Sequence, residues 1–187
     1  MLNVRLERHE CDAYGLYDNR IIPFGGTPYI TIIGTICIDD EEIGRMTMYE
    51  LDANTNLYAN TNLYDMAYQI PGDFLVISEQ ICENNGSLKK ELNINDKFVI
   101  LDNLNIDPEY RGKGYGSLAA KHLLVYLNDA YHHQIDAVVL YASMYEIEDC
   151  EEMDLPTFNN HSDKLVKFYE KAGFEEIQYN VMIKKKG

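Results

Sequence analysis

The stretch Phe98-Val-Ile-Leu-Asp-Asn-Leu-Asn-Ile106, Asp107-Pro-Glu-Tyr110, Arg111-Gly-Lys-Gly-Tyr-Gly116-Ser117 decides how this chain is read. Its first part carries the strongest strand signal after residue 90. Helical periodicity begins after Gly116, with Leu118, Ala119, His122, Leu123, Tyr126 and Leu127 at helix-face spacing. A strand therefore runs through a glycine-rich turn directly into a helix. The physical use of such a turn is anion binding. Glycines at 112, 114 and 116 remove side chains and permit positive φ, so backbone N–H groups can converge. The following helix adds its unpaired N–H groups and the positive end of its dipole. Arg111 and Lys113 add mobile positive charge. Together these features suit a diphosphate.

The kind of diphosphate follows from spacing. The chain has no G-x-x-x-x-G-K-[ST], which argues against a P-loop nucleotide site. Gly114-x-Gly116-x-x-Ala119 does fit the dinucleotide pattern G-x-G-x-x-[G/A]. However, that pattern follows its strand tightly, whereas Asp107 to Arg111 intervene here. Its acidic ribose partner should also close the next strand, whereas Asp136 opens the run Ala137 to Ala142. A glycine-rich turn without a ligand is the plain alternative.

Outward from this centre, Leu2-Asn-Val-Arg-Leu-Glu7 alternates as a half-buried strand does, and residues 11 to 27 read as a long loop. Tyr29 to Ile38 and Ile43 to Leu51 flank the polar turn Asp39-Asp-Glu-Glu42 and predict an antiparallel hairpin. Ala53-Asn-Thr-Asn-Leu-Tyr58 is repeated unchanged as Ala59 to Tyr64, too short for a repeat fold and expected in a surface loop. Asp73 to Glu83 reads as a helix, ending at Asn84-Asn-Gly86. Ala137 to Ala142 is a buried strand, and Glu146 to Asp154 an acidic loop. A helix from about Ser162 to Ala172 closes at Gly173, and Phe174 to Ile183 supplies one last strand. The expectation is one α+β domain over residues 1–187, with an atypical helical insertion at about 53–90.

Composition bounds the function. The chain has 187 residues, 46% apolar and 25% charged, as a globular protein has, with a formal net charge of −15. Such a field repels nucleic acid and anionic membrane and attracts cations, so neither of the former is expected as a partner. Cys11, Cys37, Cys82 and Cys150 are widely spaced without a C-x-x-C pair, and the five histidines add no ligand set, so no metal is expected. His132-His133 is expected at a helix end or the following turn, exposed to solvent. With no signal-peptide core at the N-terminus and no apolar run near the ~20 residues of a membrane span, a cytoplasmic protein is expected.

Leu104-Asn-Ile-Asp-Pro-Glu-Tyr-Arg-Gly-Lys-Gly-Tyr-Gly-Ser117 closely resembles motif A of the GCN5-related N-acetyltransferases, with Arg111, Gly114 and Gly116 at the three signature positions of [Q/R]-x-x-G-x-[G/A]. Ser162-Asp-Lys-Leu-Val-Lys-Phe-Tyr-Glu-Lys-Ala-Gly-Phe174 is similar to motif B, N-x-x-A-x-x-x-Y-x-x-x-G-F. Motif A spans about 98–127 and motif B about 162–174, and the strand Ala137 to Ala142 lies between them.

The resemblance implies a three-layer α/β/α fold around a mixed, mostly antiparallel sheet, and acetyl transfer from acetyl-coenzyme A to a primary amine by direct attack. Residues Leu104, Asn105 and Ile106 would pair with the pantetheine arm. The amides of Arg111, Gly112, Lys113, Gly114, Tyr115, Gly116 and Ser117 would hold the pyrophosphate. Tyr169 would be the general acid that protonates the leaving thiolate, or else a residue of the core face at i+4 from Leu165. Asp102, where relatives carry an acidic residue, would be the base, or a buried strand carboxylate with a structural partner. Homodimers have precedent in the family.

The chain departs from the pattern in two places. Ser162 replaces the asparagine of motif B on the cofactor-binding side; it can still cap the helix but reaches less far toward the cofactor, and Asn159 and Asn160 lie close enough to substitute. Residues 10 to 27 are too short for the usual acceptor-lining helices; the helical segment falls instead at about 61–84. The acidic loop would favour a cationic acceptor such as a polyamine, an aminoglycoside-like amine or a lysine-rich chain, or is simply solvated. A non-catalytic acyl-coenzyme A-binding module of the same fold is the alternative function.

Overall fold

The computed structural model describes residues 2–9, 29–53, 63–67, 70, 73–131, 135–143 and 155–186. The loop expected at 11–27, most of the tandem repeat, His132-His133 and the acidic stretch 146–154 lie outside these residues. The β-branched and alternating segments form β1 (Leu2–His9), β2 (Ile30–Ile38), β3 (Glu41–Asp52), β4 (Lys97–Ile106) and β5 (Ile135–Tyr141). The expected single last strand is instead a hairpin of β6 (Glu175–Gln178) and β7 (Val181–Lys185). It folds at Tyr179-Asn180, both in the left-handed region, a turn the sequence does not advertise with the usual Asn-Gly or Asp-Gly pair.

These strands make one seven-stranded sheet in the order β1-β2-β3-β4-β5-β7-β6. Only β4 and β5 run parallel; every other neighbouring pair is antiparallel. The sheet carries helices on both faces. This is the mixed, mostly antiparallel three-layer architecture that the sequence resemblance implies.

Strand alternation divides the core in two. Val99 and Leu101, Val138 and Leu140, and Met182 turn to one face, where α3 (Tyr115–Tyr131) covers them with Ala119, Ala120, Leu123, Leu124 and Leu127. Leu165, Val166, Phe168 and Tyr169 of α4 (Leu155–Lys171) pack on the same cluster. Phe98, Ile100, Ala137, Val139, Val181 and Ile183 turn to the other face. There α1 (Leu63–Ala67) and α2 (Phe74–Ile81) cover them with Leu63, Met66, Phe74, Ile77 and Ile81. The helical segment expected at about 61–84 covers this face, because its apolar residues recur at helical spacing. Cys37 and Cys82 are buried free thiols.

Sheet pairing is uneven at the centre. β4 pairs with β3 up to Ile106, but with β5 only from Lys97 to Ile100. A bulge sets Asn103 opposite Thr47 and Leu101 opposite Met48, so Asp102 is the extra residue. A bulge bends its strand and adds twist. Beyond it β4 follows β3 and has left β5.

Candidate functional site

The parted ends of β4 and β5 and the turn after β4 form one region. A short 3-10 turn, Pro108–Tyr110, leads from β4 into the glycines. Gly112 and Gly114 have φ of 73° and 83°, where an L side chain is strained, and the space where a Cβ would stand is open at both. A ligand can approach the backbone there. Gly116 differs from the expectation of positive φ: it is already in α3, and its smallness serves close packing. A Cβ at that position would lie 3.3 Å from Ile106 Cγ1, 3.5 Å from Leu104 Cδ2 and 3.7 Å from Phe168 Cζ. The helix begins with Leu118 N–H donating to Gly114 O at 3.0 Å. The amides of Tyr115, Gly116 and Ser117 consequently have no intrahelical acceptor and point out of the helix start.

Arg111 is engaged rather than mobile. Its Nε donates to Ile106 O at 2.7 Å and its Nη2 to Asn105 Oδ1 at 3.0 Å. The guanidinium thereby ties the turn to the end of β4, while its remaining donors stay exposed. Tyr110 is a second anchor: its hydroxyl donates to Glu41 Oε1 at 2.5 Å, joining the turn to the β2–β3 hairpin. The Glu41 carboxylate is the main reason the Tyr110 phenol is pushed up to about 12. Lys113 lies with its ammonium 5.0 Å from the Tyr110 ring centre. The backbone adds Asp107 N–H to Ile43 O at 2.9 Å. Neither Tyr110 nor Glu41 is singled out by the sequence pattern, since the contact spans 69 positions.

Leu104, Asn105 and Ile106 form the part of β4 that pairs with β3 on one side only among the described residues. Leu104 and Ile106 pack under α3, whereas Asn105 is exposed and holds Arg111. Asp102, at the bulge, is exposed and not the buried strand carboxylate of the alternative reading.

Tyr169 is half-buried on α4, its ring edge-on to Phe168 at 4.9 Å and Phe174 at 5.5 Å. Burial pushes its phenol up to about 12, so it is protonated throughout the physiological range. Its neighbour Phe168 reaches the first turn of α3 beside Gly116. In this way α4 is brought to the glycine turn. Ser162 stands differently from expectation: α4 starts at Leu155, so Ser162 is inside the helix and cannot cap it. It is 3% exposed, and its hydroxyl is buried without a hydrogen-bond partner. The side chains of Asn159 and Asn160 lie outside the described set. Among the described residues, no group of three or more His, Cys, Asp or Glu could hold a metal ion, and no helix is long and apolar enough to cross a membrane.

No protein-family model matches the chain, and no curated protein matches it by sequence. Solved structures do resemble it. A mutant AtaT toxin bound to the C-terminus of the antitoxin AtaR and acetyl-CoA is 14% identical, with a TM-score of 0.43 over 83% of this chain and 67% of that chain. The Bacillus subtilis N-acetyltransferase YlbP in complex with coenzyme A is 14% identical, with a TM-score of 0.39 over 84% and 69%. One of these neighbours is thus an N-acetyltransferase holding coenzyme A. The KacTA–DNA complex is 14% identical, with a TM-score of 0.44 over 97% and 93%. At these identities the likeness is one of shape, and the functional reading rests on the residues of the turn and the parted strands.

Proposed function

We propose that this chain is a single acyltransferase domain that moves an acetyl group from acetyl-coenzyme A to a primary amine. The observation that carries the reading is the coincidence of two features at one place. The edge of β4 after Asp102 is released from β5, and the glycine turn opens at the end of that same edge. A released strand edge suits an extended, amide-bearing arm, and an array of unpaired amides suits a diphosphate. Coenzyme A has both, in that order. Leu104, Asn105 and Ile106 would take the pantetheine, and residues Arg111 to Ser117 the pyrophosphate.

Transfer needs no covalent enzyme intermediate. The amine nitrogen attacks the thioester carbonyl, the C–S bond breaks, and the amine proton and the thiolate charge must both be handled. Asp102 is exposed at the bulge where the strands part, in a position to take the amine proton directly or through water. Tyr169 would return a proton to the thiolate. A phenol near 12 would be a poor donor to a thiolate in water, whose thiol titrates near ~8.5. Burial raises thiols as well: it pushes the Cys82 thiol in this protein up to about 12. A thiolate leaving into apolar surroundings would be shifted in the same direction, which narrows its gap to the Tyr169 phenol. Ser162 stays assigned to the cofactor side as the resemblance implies, and its buried hydroxyl carries no hydrogen bond. The protein would work in a reducing cytoplasm, in keeping with its buried free thiols.

The test is thiol release from acetyl-coenzyme A over a panel of polyamines, amino acids, aminoglycosides and lysine peptides. Turnover of at least one amine is expected. Binding of coenzyme A with no turnover on any of them would make the chain a non-catalytic acyl-coenzyme A module.

A further inference from the structure

Glycine stands in the buried part of the described strands at two places, Gly34 in β2 and Gly44 in β3. It weakens a strand, and where it occurs in one it commonly admits another backbone at close range. Neither residue has a positive φ, so what each provides is space rather than conformation. At Gly34 an added Cβ would meet only the ends of flexible side chains, Met46 Cε at 3.1 Å, Leu6 Cδ2 at 3.2 Å and Met48 Cε at 3.3 Å. At Gly44 it would meet backbone, Asn105 O at 2.3 Å and Ile106 Cα at 3.0 Å, with Ile106 Cδ1 at 3.1 Å. Side-chain ends can swing aside, whereas a paired strand has to be displaced as a whole.

The backbone admitted at Gly44 is the end of β4. Gly44 pairs with Ile106, the last residue of that strand. Just before it, Ile43 is the extra residue of a bulge, since Ile36 stands opposite Gly44 and Cys37 opposite Glu42. A bulge re-aims the groups beside it. Here the Ile43 carbonyl accepts the Asp107 N–H at 2.9 Å, the first amide beyond β4. Asn105 and Ile106 are also the residues that hold Arg111, through Asn105 Oδ1 and Ile106 O. On its other side Ile106 lies against the start of α3, where a Cβ at Gly116 would stand 3.3 Å from Ile106 Cγ1. Gly44 and Gly116 thus flank one side chain, and β3 sets where the end of β4 meets the first turn of the helix.

We propose that Gly44 is a positioning residue for coenzyme A. By admitting the Asn105 carbonyl at close range, it places the released end of β4 and the glycine turn so that one extended ligand spans both. This rests on the acetyl-transfer reading. The full chain and its Gly44→Ala, Gly34→Ala and Asp107→Pro variants are titrated with coenzyme A by calorimetry. The temperature is kept well below every melting transition, so that a loss of stability alone does not move the affinity. Gly44→Ala is expected to weaken coenzyme A about tenfold or more, because a misplacement of about 1 Å at a ligand site can cost that much. Gly34→Ala crowds the same sheet through side chains only and should stay within about twofold of wild type. Asp107→Pro tests the same link with residue 44 untouched. The Asp107 φ of −57° suits proline, whose ring takes the place of the N–H held by Ile43 O. This change also removes a negative charge beside an anion site, which by itself favours binding, so the expected weakening of about fivefold or more reports the lost link. If Gly44→Ala does not fold, Asp107→Pro decides. Affinity within about twofold of wild type in a folded Gly44→Ala or in Asp107→Pro, or equal weakening in Gly34→Ala, would overturn the proposal alone. Failure of the wild type to bind coenzyme A would sink the acetyl-transfer reading, and the proposal with it.

Discussion

One chemical change, glycine to alanine, should be costly at two positions and nearly neutral at a third within five residues of this chain. Gly112 and Gly114 have open space beside them, so an added methyl meets no protein atom and the cost comes from the backbone alone. At φ of 73° and 83° that cost is about 1–2 kcal/mol for each. If the turn keeps its shape, folding bears the cost, and the melting temperature falls by about 2–8 °C. If the free turn relaxes instead, the ligand must restore it, and coenzyme A binds about 5–30-fold more weakly. The two losses share one total, and the methyl standing among the converging amides adds to the second. Gly116 lies inside α3, where alanine gains up to about 1 kcal/mol of helix propensity. Ile106 at 3.3 Å must yield by a few tenths of an ångström, which offsets much of that gain. Gly116→Ala should therefore stay within about 1 kcal/mol of wild type, in line with the alanine that the motif admits at this position. Thermal melts and titration calorimetry with coenzyme A on the three variants decide it. The reasoning fails if Gly114→Ala loses neither stability nor affinity, or if Gly116→Ala is the most damaged of the three.

Tyr169→Phe should lower turnover by at least tenfold while leaving coenzyme A affinity within about twofold; unchanged turnover would return Tyr169 to the core. Burial raises the folded-state phenol of Tyr169 above its unfolded value, so its contribution to stability is complete below about pH 10 and is lost as pH rises toward about 12. Alkaline melts of Tyr169→Phe should therefore show a shallower loss of stability in that window than wild type. Tyr110→Phe removes the bond to Glu41 but keeps the ring under Lys113, whereas Tyr110→Leu removes both. KM for acetyl-coenzyme A should rise about twofold in the first and more in the second, with KM for the amine unmoved. Glu50 is 3% exposed and accepts from Arg8 Nη2 at 2.9 Å and Lys97 Nζ at 2.7 Å, at the end of the sheet away from the glycine turn. Because both cations are about a quarter exposed and can rehydrate, Glu50→Ala should cost about 2–3 kcal/mol, below the ~3–5 typical of fully buried pairs, with coenzyme A affinity unchanged.

What the sequence disclosed and what it concealed follow from the range of the forces involved. Strands β1 to β5 and helices α2 and α3 were legible because alternation and helical spacing are local and each element has one face in a continuous core. The glycine turn was legible because positive φ restricts the residue type. The same local logic misjudged Gly116, where the demand is space rather than conformation, and that demand comes from Leu104, Ile106 and Phe168. It also missed the β6–β7 turn, because Tyr179 breaks the rule by which turns are found. The bulge at Asp102 has no local signal, yet it lies where β4 has parted from β5. Arg111 read as free charge because its partners Ile106 O and Asn105 Oδ1 come into reach only when the turn folds back on its own strand. Ser162 read as a helix cap because the motif begins there, whereas the helix begins seven residues earlier.

The central claim is that the released edge of β4 and the glycine turn together hold coenzyme A. Titration calorimetry of the purified full chain with coenzyme A tests it most directly. The account predicts one-to-one binding in the micromolar range or tighter, which Gly114→Ala weakens. Absence of binding heat with wild-type protein at temperatures on both sides of ambient would contradict it.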